Sequence, residues 1–262
     1  MNVQHIGYTS EQFRIESDEI YKFTTDESRK EFLRTQMNHL IAIGSTRPSV
    51  VPNNITWFEH GPYTYEYGYM MEYIPQAQRI NDSHLKDVII LIDHCSRVYP
   101  KDTIPDFATF HSYVKNVIAN NIELFEDDDL SYLASDFLVN FERLSSHFND
   151  ERSSCHGDFT MENILVQDDR IVLIDPIRKP DQWSSWLQDI AKFYQNIYFS
   201  DIPKTLLFTE KIDLIAAGKA IPLYKMIHML MITNYIRMFP YIKDKPEIFK
   251  ERYNEFKILI NK

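Results

Sequence analysis

A chain of 262 residues has room for one large domain or two lobes, and with 44% apolar and 14% aromatic residues it has ample core material. Its net charge of −10, from 28 basic and 38 acidic residues, removes the electrostatic footprint that a nucleic-acid backbone requires. Two isolated cysteines, Cys95 and Cys155, make no disulfide framework and point to a reducing cytoplasm.

The opening residues, MNVQHIGYTSEQFRIE, are polar and lack the continuous apolar run of a signal peptide. A strand is expected near residues 3–8, then β-prone runs at 12–16 and 20–25, separated by the turn cluster Ser17, Asp18 and Glu19. Lys22 lies inside the second of these runs. Residues 26–43 place Leu33, Met37, Leu40 and Ile41 at helical spacing, with Asp26, Glu27 and Ser28 available as caps. Glu31 falls near the start of that helix. Residues 54–59 and the aromatic-rich, alternating stretch 63–73 read as further strands, closed by MMEYIP at 70–75. Pro75 marks the passage to a mostly helical remainder.

Residues 81–98 carry an amphipathic pattern at Leu85, Val88, Ile89 and Ile92. Further helices are expected over 107–124 and 130–148, with the acidic run 126–129 between them as a solvated loop and helix N-terminus. The most apolar long stretch, 223–239, is interrupted by Lys225, His228, Asn234 and Arg237, so it reads as a core helix rather than a membrane span. No membrane partner is expected.

Between these helices stands CHGDFTMENILVQDDRIVLIDP, residues 155–176. It reads as a tight loop, a buried strand at 164–166, a polar turn at 167–170 and a returning strand at 171–174. Asp175 ends the hairpin and Pro176 stops the ladder. Such a hairpin brings Asp175 back beside Asn163 and Asp158. Oxygen ligands of this kind suit a hard cation such as Mg²⁺, which keeps room for substrate phosphates. Asn163 and Asp175 are the metal candidates, and Asp158 is left to orient and deprotonate a hydroxyl. His156 reads as an architectural residue of the loop. A thiol nucleophile at Cys155 is rejected, because adjacent residues rarely face each other.

The kinase catalytic loop uses the same parts: an Asp that accepts the proton, an Asn that holds metal, and a later strand-end Asp that holds metal. The form H-G-D-x-x-x-x-N, followed by a strand ending in Ile-Asp, resembles the aminoglycoside phosphotransferase and choline kinase superfamily. The fuller pattern CHGDFTMENILV, LIDP and QDIAKF looks most like phosphotransferases of bacterial capsule and surface-polysaccharide gene clusters. The resemblance implies a bilobal, protein-kinase-like α+β fold. Its N-lobe, residues 1–74, would hold a small antiparallel sheet with one helix; its C-lobe, residues 75–262, would be mostly helical and carry the catalytic hairpin. It implies ATP and Mg²⁺ as cofactors. Lys22 becomes the third-strand lysine that reaches the phosphates, set by Glu31 of the following helix. Glu72 and Tyr73 lie in the hinge where main-chain groups meet the adenine edge. Asp189, in QDIAKF, becomes the anchor of the catalytic loop. One departure is the missing Gly-rich loop: Gly7, Tyr8, Thr9 and Ser10 would have to cover the phosphates instead.

The reaction implied is transfer of the γ-phosphate to a hydroxyl of a small molecule. The segment after Asp175 reads Ile177, Arg178, Lys179, Pro180, Asp181, a poor cage for a polycation and a better wall for a neutral or anionic acceptor. A sugar or polyol is therefore preferred to an aminoglycoside or to choline or ethanolamine. Trp183 and Trp186 are expected to pack the loop that follows. A protein kinase is disfavoured, because HGD stands in place of HRD and Asp175 is followed by Pro-Ile rather than Phe-Gly. A nucleotide-binding pseudokinase or binding module is the reading from another class.

Overall fold

The structure is a computed structural model that describes residues 3–5, 11–60, 65–75, 77–80, 84–125, 128–168, 170–198 and 222–261. Cα proximity divides the chain into two compact units, residues 1–98 with 156–178, and residues 99–155 with 179–262. The hairpin groups by Cα proximity with the N-terminal sheet.

The first unit holds a five-stranded antiparallel sheet in the order β1-β2-β3-β5-β4. Its strands are β1 (Val3–His5), β2 (Gln12–Glu16), β3 (Glu19–Thr24), β4 (Thr56–Glu59) and β5 (Tyr67–Glu72). The β2–β3 hairpin turns at Ser17, which takes φ +55°. Phe13 faces Lys22 across it, and Lys22 faces Tyr69 on β5. Gly68 permits that last pairing. A Cβ there would lie 2.1 Å from the Lys22 carbonyl oxygen and 2.7 Å from Phe23 Cα, so any side chain would push the strands apart.

Helix α1 (Lys30–Thr46) covers the sheet with Leu33, Gln36, Met37, Leu40 and Ile43, spaced three or four apart and all buried. It starts later than the sequence suggests, because Asp26 caps a 3-10 turn (Glu27–Arg29) ahead of it. Asp26 Oδ1 accepts the Ser28 N–H at 2.9 Å. The hairpin forms β7 (Ile164–Gln167) and β8 (Arg170–Leu173), joined on one edge by the short strand β6 (Gln78–Arg79). Asp168, in the turn between paired Gln167 and Arg170, takes φ +47°. Helix α2 (Leu85–Cys95) completes this unit.

The second unit is helical: α3 (Phe107–Ala119), α4 (Asp128–Arg143), α5 (Ser145–Asp150), α6 (Trp186–Tyr198), α7 (Pro222–Ile242) and α8 (Pro246–Ile260). The single helix expected over 130–148 is broken at Leu144, whose φ/ψ of −91°/5° leaves the helical range. The helix expected to reach 124 ends at Ala119 and gives way to a 3-10 turn (Ile122–Phe125). An aromatic core of Phe107, Phe110, Phe141, Phe148 and Trp183 fixes α3 to α5 and the 183 loop. Phe107 and Phe148 stack at 4.2 Å, and Trp183 donates its ring N–H to the Phe148 carbonyl at 3.1 Å. Trp183 is therefore packing, as expected. Helix α7 buries Leu223, Met226, Ile227, Leu230, Tyr235, Ile236 and Phe239, so it is a core helix. Among the described residues no helix is long and apolar enough to cross a membrane. Of the helices expected over 205–259, the part up to residue 221 lies outside the described residues.

Candidate active site

The loop before β7 is built on Gly157. Its φ is +85°, and a Cβ would stand 1.9 Å from the Ile177 carbonyl oxygen. The Ile177 N–H meanwhile donates to the His156 carbonyl at 2.8 Å. The chain after the hairpin therefore lies directly against the loop before it, and only glycine fits between them. That is the physical reason for Gly where protein kinases place Arg.

His156 is fully buried, edge-on to Phe159 with ring centroids 5.6 Å apart. Burial pushes its pKa down to about 4, against the pull of Asp158, Asp175 and backbone at Ile174 and Asp158. The imidazole is therefore neutral at physiological pH.

Asp158 is fixed from within the loop. Its carbonyl accepts the Thr160 N–H at 2.8 Å and the Asn163 side-chain amide at 2.9 Å. Asn163 Nδ2 also reaches Asp158 Oδ2, at 3.0 Å. With its nitrogen committed to Asp158, Asn163 presents its oxygen as the end left for a cation. Asn163 returns its own carbonyl to the Ile174 N–H at 3.0 Å, which pins Asn163 beside the end of β8. The next residue, Asp175, sits at φ +54°, a strained setting for a side-chain-bearing residue. The hairpin thus brings Asp158, Asn163 and Asp175 to one end, as the sequence suggests.

Lys22 meets them from β3. Its Nζ lies 3.1 Å from Asp175 Oδ1 and 3.2 Å from Glu11 Oε2, with the lysine side chain 4% exposed. The Lys22–Glu31 pair expected from the sequence does not form. Glu31 is exposed on α1, two residues before Leu33 and so about 200° round the helix from the buried face. Glu11 takes the role instead. It precedes β2 on the same strand face as Phe13, the cross-strand partner of Lys22. Arg29 holds it from the other side. Burial alone would raise the Glu11 pKa, but Lys22 and Arg29 outweigh it and hold the carboxyl below its ordinary value. Tyr69, across from Lys22, donates to Gln36 at 3.0 Å and lies 3.4 Å from Asp175 Oδ1. Burial, then Asp175 and Glu11, push its phenol well above the usual range, so it stays a neutral donor.

Glu72 and Tyr73 close β5. The Glu72 carboxylate accepts from Asn53 N and Nδ2, each at 2.9 Å, and from Arg170 Nη1 at 3.1 Å. Arg170 also donates to the carbonyls of Ser49 at 3.0 Å and Val51 at 2.7 Å, so it clamps the hairpin to the end of the sheet. The Glu72 N–H goes to the Asn53 carbonyl at 2.9 Å and the Tyr73 N–H to Asp18 at 2.8 Å. The Glu72 side chain therefore braces the sheet. Asp189, in the first turn of α6, is fully buried in the second unit. The phosphate-covering segment expected at Gly7, Tyr8, Thr9 and Ser10 lies outside the described residues.

Sequence reasoning missed Glu11, Tyr69, Gln36 and Arg170. Only Glu11 carried a usable signal, an acid in strand alternation with the residue facing Lys22. The other three act through contacts more than 30 residues apart in sequence.

Among the described residues no cluster of three His, Cys, Asp or Glu side chains is placed to hold a metal by itself. The donor set nevertheless fits Mg²⁺: one carboxylate, Asp175, and one amide oxygen, Asn163, are hard ligands. That ion usually keeps waters and substrate phosphates for its remaining positions.

The architecture is the protein-kinase-like fold of the aminoglycoside phosphotransferase and choline kinase group. A putative fructosamine-3-kinase from Haemophilus somnus superposes with TM-score 0.65 at 14% identity, over 98% of this chain and 91% of its own. Choline kinase LicA from Streptococcus pneumoniae gives 0.59 at 13%, over 100% and 93%. The GDP complex of an aminoglycoside 2'-phosphotransferase-IIIa gives 0.65 at 10%, over 100% and 93%. No family model and no curated protein sequence matches the chain.

Proposed function

We propose that the chain is an ATP- and Mg²⁺-dependent phosphotransferase that moves the γ-phosphate to a hydroxyl of a small molecule, a sugar or polyol. The observation that carries this reading is the convergence of Lys22 on Asp175 at 3.1 Å, beside an Asp158 held by Asn163 at 3.0 Å. One phosphate-binding cation, two hard metal ligands and one orienting carboxylate are what phosphoryl transfer asks of a protein, because the loose transition state needs positioning and charge more than covalent help.

Asp158 orients the acceptor hydroxyl and takes its proton. Lys22, braced by Glu11, neutralises phosphate charge. Asn163 and Asp175 would hold the metal. When bound, Mg²⁺ would supply positive charge that offsets the negative charge developing in transfer. Glu72 and Tyr73 lie in the segment assigned to the adenine, with their N–H groups already bonded to the Asn53 and Asp18 carbonyls. His156 and Asp189 support the loop.

The fold neighbours include kinases named for choline, fructosamine and aminoglycosides, so the fold accommodates several acceptors. A sugar or polyol is favoured by Arg178 and Lys179 after the metal carboxylate and by the likeness of the loop pattern to polysaccharide-cluster phosphotransferases. The test is a coupled ADP-release assay across simple sugars, sugar phosphates, choline, ethanolamine and aminoglycosides. Turnover of sugars supports the reading. Efficient turnover of kanamycin-like or choline-like cations with sugars inert overturns the acceptor, and no turnover of any acceptor overturns the phosphotransferase.

A further inference from the structure

Within the second unit two cations share one aromatic ring. Lys179 Nζ lies 4.4 Å from the centroid of Tyr113 on α3, and Arg237 Cζ of α7 lies 5.5 Å from the same ring and 5.7 Å from Phe110. All three polar side chains are half-buried. A single cation over a ring is an ordinary structural contact. Two cations on one ring repel each other, and half-buried charges normally find a carboxylate.

Here none is supplied. Among the described residues neither Lys179 nor Arg237 forms an ion pair. Arg237 Nε is buried without a hydrogen-bond partner among them. Asp181, the one acid that acts on Lys179, is exposed and the weakest of the influences upon it. Burial and then Arg237 pull the Lys179 ammonium below the usual lysine range. Burial of Tyr113 is outweighed by Arg237 and Lys179, which lower its phenol pKa.

We propose that Lys179, Arg237 and Tyr113 form a subsite for an anionic group, a phosphate or a carboxylate, carried by the acceptor. The guanidinium fork donates to two oxygens of such a group, the ammonium donates a third hydrogen bond, and the phenol donates a further one. Lys179 follows Asp175 by four residues in the chain. The acceptor as source rests on the phosphotransferase reading above, whereas the anion affinity does not.

Inorganic phosphate is the probe for the subsite alone. It should raise the melting temperature of the wild-type chain by about 3 °C at a tenfold excess over its dissociation constant. Lys22→Met should keep that rise, which separates the subsite from the nucleotide phosphates. Arg237→Gln and Lys179→Gln should lose it while circular dichroism stays native, and Arg237→Lys should restore part of it. Acceptor pairs that differ only in an anionic group, such as glucose and glucose 6-phosphate, test the source. The anionic member should show a kcat/KM about tenfold higher, with that advantage lost through KM in Arg237→Gln. Phosphate protection that survives both Gln variants, or that is lost with Lys22, overturns the subsite. Equal turnover of neutral and anionic acceptors overturns the acceptor as its source. Phosphate protection that depends on Arg237, in a chain that phosphorylates nothing, keeps the subsite and overturns the phosphotransferase reading.

Discussion

Lys22 bridges two carboxylates of different origin, Glu11 at 3.2 Å and Asp175 at 3.1 Å. Glu11 comes from the approach to β2 and Asp175 from the end of the hairpin, so one buried ammonium ties the sheet to the hairpin. Removing one member of a buried pair leaves an uncompensated charge, typically at a cost of about 3–5 kcal/mol. Glu11→Ala leaves Lys22 with Asp175 alone and takes the carboxylate from Arg29, and should destabilise by about 3 kcal/mol. Glu31→Ala, on the exposed face of α1, should stay within about 0.5 kcal/mol. Urea unfolding of the two variants compares them directly, and a larger loss for Glu31 would reverse the assignment.

Asp158→Asn should fold and fail to catalyse. The change is nearly isosteric at a half-buried loop residue, and its carbonyl bonds to Thr160 and Asn163 are untouched. Loss of the general base should lower kcat by about 10²–10⁴-fold. Thermal melts set beside initial rates decide this; wild-type turnover would remove Asp158 from the mechanism.

Nucleotide stabilisation should depend on metal and on Asp175. A ligand that binds only the native state raises apparent stability by mass action. A non-hydrolysable ATP analogue with Mg²⁺ should raise the melting temperature, and Asp175→Ala should shrink the rise. Equal stabilisation in the presence of a chelator would dismiss the metal assignment.

Gly157→Ala should damage the loop outright. The new methyl would stand 1.9 Å from a carbonyl oxygen at φ +85°, and a main-chain atom cannot swing aside as a side chain does. The expected loss is about 2–4 kcal/mol, with activity lost together with stability. A variant that melts like the wild type would show that the loop has another conformation available.

Stability should fall as pH drops from 6.5 towards 4, in part through His156. Its ordinary value is 6.5 and its folded value about 4, so in that window the unfolded chain binds a proton that the folded chain refuses. The sign is therefore destabilisation on acidification, approaching about 3 kcal/mol near pH 4. His156→Phe should flatten that part of the profile of urea midpoint against pH, whatever its own stability. An unchanged slope in the variant would locate the effect elsewhere.

Much of the site was legible because it is local. Asp158 and Asn163 are five residues apart, the hairpin that carries Asp175 is a pair of continuous apolar runs around a polar turn, and hydrogen bonds within that segment complete the arrangement. Strands β2 and β3 and the helix after them were readable for the same reason. The lysine was legible as a charged residue inside an apolar strand, but its partner was not. The choice between Glu11 and Glu31 depends on which face of α1 meets the sheet, and helical spacing from Leu33, Met37 and Leu40 already turns Glu31 away.

The sequence by itself determined the short-range chemistry: a loop that requires glycine, an orienting carboxylate, two hard-metal ligands and the hairpin that joins them. Tertiary structure alone decided what surrounds them. It placed Glu11 on Lys22, Tyr69 between Gln36 and Asp175, Arg170 across Ser49, Val51 and Glu72, and two cations on Tyr113. The physical reason is range. A turn or a strand alternation is settled by residues a few positions apart, whereas the partner of a buried charge is whichever side chain the packing of distant elements leaves within about 4 Å, where the low dielectric makes the contact count.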